Sequence, residues 1–266
     1  MKIAFIGGGN MGEAMVSAIA DKGLAKPEAI CVSDVDKGRR DYLARKYTVA
    51  VTSSNRQAAA TGDVVVLAVK PQNLAEVMAE LGGRLKPAQL VLSIVAGARI
   101  DTLSRGLRHG CIVRVMPNTP AQIGEGISVW TATAEVTEQQ KESAKAILGA
   151  MGREIYVDNE SYIDMATAVS GSGPAYFFLV VESLVDAAVE IGLPRDMARE
   201  LVLQTMLGSG RFIQQSGKEP AELRRMVTSP GGTTAEALHC LEKGDFSQLL
   251  IEAVKAAYDK AKKLGG

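Results

Sequence analysis

The chain has 266 residues, 47% of them apolar and 23% charged, the balance of a folded globular protein and not of a disordered one. Lys+Arg and Asp+Glu stand at 30 each, so no field of one sign points to nucleic acid or to an anionic membrane. Cys31, Cys111 and Cys240 lack CxxC spacing and read as buried, reduced thiols, which suits a cytoplasmic protein.

The first stretch, MKIAFIGGG, enters directly on a strand pattern without a basic leader, so no signal peptide is expected. No apolar run is read as reaching the roughly 18–20 residues of a spanning helix, and a soluble protein without membrane partners is expected. Up to about residue 157, short β-branched runs alternate with helical spacing. The runs are KIAFIG (2–7), AICVSD (29–34), DVVVLAV (63–69), QLVLSIVAG (89–97), CIVRVMP (111–117), GISVWTA (126–132) and REIYVD (153–158). Continuous apolar strands separated by helices predict an α/β fold, a Rossmann-type, mostly parallel sheet covered on both faces.

In the first turn Gly7, Gly9 and Gly12 have G-x-G-x-x-G spacing between a strand and the helix EAMVSAIADKG. That context predicts a dinucleotide site, with the helix N-terminus facing the phosphates. Ser33 and Asp34 end the second strand about 20 residues after the last glycine, where an acid grips the adenosine ribose. Asp34 favours NAD, while Lys37, Arg39 and Arg40 just beyond offer partners to a 2′-phosphate. The stretch AVKPQN (68–73) leaves a buried strand at its C-terminal end, where ligands of open parallel sheets sit. His109 before Gly110 and His239 in mid-helix read as structural.

From about Ser161 the strand signal stops and helices are predicted near 175–193, 196–216, 220–227, 234–243 and 246–263. The division is therefore 1–160, a dinucleotide-binding domain, and 161–266, an all-helical domain, to which the resemblance set out below adds dimerisation and substrate binding. AYFFLVVESLVDAAVEIGL (175–193) is apolar nearly all round, apart from Glu182, Asp186 and Glu190. A helix of that kind needs cover on most sides. An intimate homodimer supplies it, and burial inside its own bundle is the alternative. Near the end, Pro230, Gly231 and Gly232 precede Thr233 and Thr234. Thr233 with Glu236 fits a capping box, and the same donors, left free, suit a small anion.

AVKPQ, RVMPNTPA (114–121), SGSGPAYFF (170–178) and VTSPGGTTAEAL (227–238) follow the glycine fingerprint in this order. Together, over nearly the whole chain, they resemble the pyrroline-5-carboxylate reductases. The resemblance implies a Rossmann-type N-terminal domain and a helical C-terminal dimerisation domain with the active site between them, and dimers that assemble into larger rings. It implies reduction of 1-pyrroline-5-carboxylate to L-proline by hydride transfer from NADPH, with NADH as the other donor. It assigns cofactor contacts to Ile6, Gly7, Gly8, Gly9, Asn10, Met11 and Gly12, and to Ala68, Val69, Lys70 and Pro71. Asn55 and Ile94, Val95 and Ala96 join them. The substrate carboxylate falls to Ser229, Gly232, Thr233 and Thr234, with Thr234 as the residue on the ring nitrogen, and Glu160 touches substrate in some members.

Two positions depart from the family pattern. Asp34 stands where many members avoid an acid, and Met226 stands where a basic or amide residue often precedes VxSPGG. A 3-hydroxyacid dehydrogenase of the same architecture needs a lysine that SGSGPAYFFLVVESL lacks. A non-catalytic nucleotide sensor has no use for SGSGPA and SPGGTT. The lack of a histidine acid suits an imine substrate, which is already protonated near neutral pH.

Overall fold

The computed structural model describes residues 1–265. β1 (Ile3–Ile6) is wholly buried and sends side chains alternately to two cores, Ile3 and Phe5 to one and Ala4 and Ile6 to the other. Both faces of the strand are covered, which is why its sequence is apolar without alternation. α1 (Asn10–Asp21), β2 (Ile30–Ser33), α2 (Lys37–Tyr47), β3 (Ala50–Thr52) and α3 (Asn55–Thr61) follow. β4 (Val64–Leu67), α4 (Leu74–Leu81), β5 (Leu90–Ser93), α5 (Ile100–Leu107) and β6 (Ile112–Met116) complete the doubly wound part. Its strands are all parallel, in the order β3-β2-β1-β4-β5-β6. That order reverses between β1 and β4, and the reversal opens the crevice used for ligands in such sheets.

β7 (Gly126–Ala132) returns antiparallel to β6. α6 (Glu138–Gly149) then leads to β8 (Gly152–Tyr156), parallel to β7, at the edge of an eight-stranded sheet. β3 is absent from the strand runs expected on sequence, and the 89–97 run ends as a strand at Ser93. Helix starts follow local chemistry. Asp36 and Ser54 accept the backbone N–H groups of Arg39 and Gln57, and Thr137 with Gln140 forms a capping box.

α7 (Ser161–Ala166) runs into a π turn (Thr167–Gly171). Two compact units result, one of Met1–Ser172 with the last residues from Ala257 onward, the other of Gly173–Ala256. The second unit holds α8 (Gly173–Glu190), α9 (Arg195–Ser216), α10 (Pro220–Met226), α11 (Thr233–Lys243) and the first part of α12 (Phe246–Leu264). In α8 only Gly173, Pro174 and Val185 are buried, while Phe177, Phe178, Leu179 and Leu184 are exposed. The alternative that α8 is buried within its own bundle is thus overturned. Ser161–Glu190 is also apolar and long enough to cross a membrane by length and composition, at mean hydropathy 1.3, which corrects the expectation that no such run exists. The three thiols are free; Cys240 is exposed and the other two half-buried, less covered than expected.

Candidate functional site

The glycine turn sits at the C-terminal end of β1. Gly7 has φ +99°, and a Cβ there would meet the Ala68 carbonyl oxygen at 2.7 Å. A Cβ on Gly12 would meet the Gly7 oxygen at 2.6 Å, so the helix packs on the turn only without a side chain. Gly9 is different. It is the N-cap of α1 and faces open space, with nothing within 4 Å of a Cβ position. An open backbone at the N-terminus of a helix is what a pyrophosphate requires, so the residues fit a dinucleotide. Asn10, the first residue of α1, is exposed beside it.

Next to this turn is a cleft of about 270 Å³. Met11, Ala68, Val69, Pro71, Ile94 and Ala96 line it, all of them sequence-assigned cofactor contacts. Met116, Pro117, Asn118, Thr119 and Gly171 form the rest of its wall. Their stretches, RVMPNTPA and SGSGPA, were legible as motifs, but no residue of either was singled out as a contact. Larger hollows, about 500 and 700 Å³, lie toward the other end of the strands, around Lys2, Asp63 and Ala88. They are far from the glycine turn, at the end of the sheet that such folds do not use.

Other assigned residues support the site from behind. Ile6 and Val95 are buried; the Ile6 carbonyl accepts the Ala68 N–H at 2.8 Å and so ties β1 to the AVKP turn. Ser33 is fully buried, with its Oγ 2.8 Å from Asn55 Oδ1, and Asn55 Nδ2 donates to Glu80 Oε2 at 2.8 Å. These side chains brace the ends of β2 and α3. Asp34 accepts the Gly8 N–H at 2.8 Å and the Asp36 N–H at 2.9 Å. Lys70 is exposed, without an ion-pair partner among the described residues.

Glu160 is engaged through one of its two oxygens. Its Oε1 accepts from Arg114 Nη1 at 2.7 Å and from the Ile100 N–H at 2.8 Å. Arg114 is only 2% exposed and also pairs with Asp164 at 2.6 Å. This buried fork ties β6 to α7 and to the start of α5. The sequence signal was an arginine inside the apolar run CIVRVMP. His109 is buried, with Nε2 2.7 Å from the Gln89 carbonyl, whereas His239 is exposed.

In the second unit, the SPGGTT turn enters α11. Gly231 has φ +69°, and a Cβ on Gly232 would strike Ser229 Oγ at 2.7 Å. Gly232 is the N-cap, and no side chain caps the helix. The expected capping box fails because Thr233 is already the first helical residue, one position too late. The Thr233 and Thr234 N–H groups and the Ser229, Thr233 and Thr234 hydroxyls have no partner among the described residues. An anion is served by such a set of free donors at a helix N-terminus.

A doubly wound sheet with an open glycine turn and a cleft at its switch point defines a dinucleotide-dependent oxidoreductase. A family described as NADP oxidoreductase, coenzyme F420-dependent, matches residues 2–97, and one described as pyrroline-5-carboxylate reductase dimerisation matches residues 160–264. The chain is 43% identical to the pyrroline-5-carboxylate reductase of Synechocystis sp. over 100% of its own length and 98% of that protein's. The structure of the Coxiella burnetii enzyme superimposes with a TM-score of 0.90 at 40% identity, over 100% and 98% of the two chains. The Plasmodium falciparum enzyme, solved with NADP bound, gives 0.91 at 35% identity, over 100% and 98%. This chain belongs to the pyrroline-5-carboxylate reductase family, and a homodimer acting on a small-molecule substrate follows from that membership.

Proposed function

We propose that this chain reduces 1-pyrroline-5-carboxylate to L-proline with NADPH as hydride donor and NADH as the lesser one. The observation that carries this reading is the cleft at Met11 after the glycine turn, whose wall is built from the AVKP, IVA, MPNT and SGSG stretches together. The bound nicotinamide supplies the hydride. The chain's part is to hold and orient. The open N-terminus of α1 takes the pyrophosphate, and the apolar wall of Met11, Val69, Pro71 and Ile94 excludes water from the ring. The free N–H groups of Thr233 and Thr234, with Ser229, hold the substrate carboxylate. Thr234 Oγ1 orients the ring nitrogen, whose proton is present at neutral pH, so no side-chain acid is needed.

The protein acts as a homodimer assembled into a larger ring, dissolved in the cytoplasm and not in a membrane. Free thiols agree with a reducing compartment. The test mixes purified protein with pyrroline-5-carboxylate and NADPH, follows absorbance at the nicotinamide band, and identifies proline by chromatography. Proline formed in step with cofactor oxidation is the expected result. Absence of turnover with both NADPH and NADH would end this reading.

A further inference from the structure

Three cations follow Asp34, and the structure separates them. Lys37 pairs with Asp41 at 2.7 Å on the exposed face of α2. Arg40 Nη1 donates to the Asp34 and Val35 carbonyls at 2.7 and 3.0 Å, within its own turn. Arg39 alone reaches the glycine turn. Its Nε donates to the Gly8 carbonyl, its Nη2 lies 3.4 Å from the Gly9 carbonyl, and the same nitrogen pairs with Glu13. Arg39 Nη1 has no partner among the described residues.

Glu13, in the first turn of α1, is the hub of this arrangement. Besides Arg39 it accepts from Tyr42 OH at 3.0 Å, Tyr47 OH at 2.9 Å and Lys46 Nζ at 2.9 Å. Burial pushes its carboxyl up, but the hydrogen bonds from Lys46, Arg39, Tyr47 and Tyr42 outweigh it and bring the group down to about 2. One carboxylate thus holds two cations and two neutral hydroxyls, and the Asp34 carboxylate on the Gly8 N–H balances the second cation. Asp34, by contrast, has both oxygens engaged by backbone N–H groups of its own and the neighbouring turn.

In this fold the adenosine ribose lies beside the end of β2, next to the glycine turn. We propose that Glu13 is a specificity-determining positioning residue. It seats Arg39 on the glycine turn as partner of a ribose 2′-phosphate, beside the Asp34 carboxylate that the Gly8 and Asp36 N–H groups orient. The proposal rests on the dinucleotide-binding part of the reading above and explains how a chain with an acid after β2 selects NADPH. A guanidinium held in place before the ligand arrives loses little freedom on binding, and its free edge suits a phosphate.

The test uses the whole protein and two probes that differ only by the phosphate, adenosine 2′,5′-bisphosphate and 5′-AMP, titrated calorimetrically. The wild type binds the bisphosphate roughly 10-fold or more tighter than AMP. Arg39→Gln removes most of that ratio and leaves AMP binding within about 3-fold. Glu13→Gln, which keeps Arg39 but releases it, lowers the ratio several-fold, and in turnover it raises KM for NADPH with kcat unchanged. Lys46→Gln, which leaves Arg39 seated, keeps the ratio within about 2-fold. An unchanged ratio in Arg39→Gln overturns the proposal. So does an unchanged ratio in Glu13→Gln, or a raised one, which would make Glu13 a competitor of the phosphate. The titrations need no turnover, so failure of the reductase reading and failure of this one are told apart.

Discussion

At the scale of single residues, the glycines of the nucleotide turn do different work and predict different phenotypes. Gly12→Ala puts a methyl 2.6 Å from the Gly7 oxygen and forces α1 off the turn, so thermal stability falls. Gly9→Ala meets nothing within 4 Å, so the melting temperature stays nearly constant, yet under the proposed function the methyl stands where the phosphates approach. The measurement is KM for NADPH beside a melting curve. Gly9→Ala raises KM about 10-fold or more with little change in stability, and equal loss of both in the two variants would contradict the assignment. Thr234→Ala removes one hydroxyl that has no partner among the described residues. It lowers kcat/KM by about 1–3 kcal/mol, the usual consequence of losing a hydrogen bond to a group kept from water. Steady-state kinetics with wild-type values would remove Thr234 from the site.

The Glu13 carboxyl carries a pH dependence at the same scale. Its folded value, about 2, lies below the ordinary 4.5, so its stabilising contribution is complete above 4.5. That contribution is lost as pH falls through the window between 4.5 and about 2, where the folded state must give up its bonds to Arg39, Lys46, Tyr42 and Tyr47. Chemical denaturation of wild type and Glu13→Gln therefore shows a stability gap at pH 7 that narrows across that window. A gap independent of pH down to 2 would exclude this account.

Among elements, the buried fork of Arg114 is the main brace that sequence reading missed. Arg114→Met leaves Glu160 and Asp164 facing each other without their cation, on a helix that leads into the π turn beside the cleft. Loss of one partner of a buried ion pair destabilises by about 3–5 kcal/mol, measurable as a lower urea midpoint at constant slope. Legibility on this scale followed from periodicity. The doubly wound order, the glycine turn and the helical second half were plain, because fully buried strands and amphipathic helices write strong patterns. β3 was not, because it is three residues long, half-exposed, and offers only Val51 as an apolar contact inside it. The roles of Glu160 and Ser33 were equally hidden. Whether a polar side chain faces a ligand or a buried partner depends on residues about 20–50 positions away, and spacing along the chain carries no trace of such pairings.

For the whole molecule, α8 decides the assembly. Phe177, Val181, Leu184 and Ala188, with Ile191 just past the helix end, recur at spacings of three and four, one apolar stripe on a helix with Glu182, Asp186 and Glu190 on another face. Phe177 is 59% exposed, Leu184 52% and Ile191 82%, far too much contiguous apolar surface for a free chain in water. We propose that a second copy of the helix unit covers it, in keeping with the dimerisation family that matches residues 160–264. A charge placed in the stripe must then be buried without a partner, at several kcal/mol, whereas a change in the acidic face removes little. Leu184→Glu accordingly shifts the protein from dimer or larger assembly to monomer in light scattering, while Glu190→Gln leaves its mass unchanged. The glycine turn and its cleft lie in the other unit, so the Leu184→Glu monomer still binds adenosine 2′,5′-bisphosphate. A dimer that survives this substitution with undiminished stability would place the interface on a different face of the helical unit.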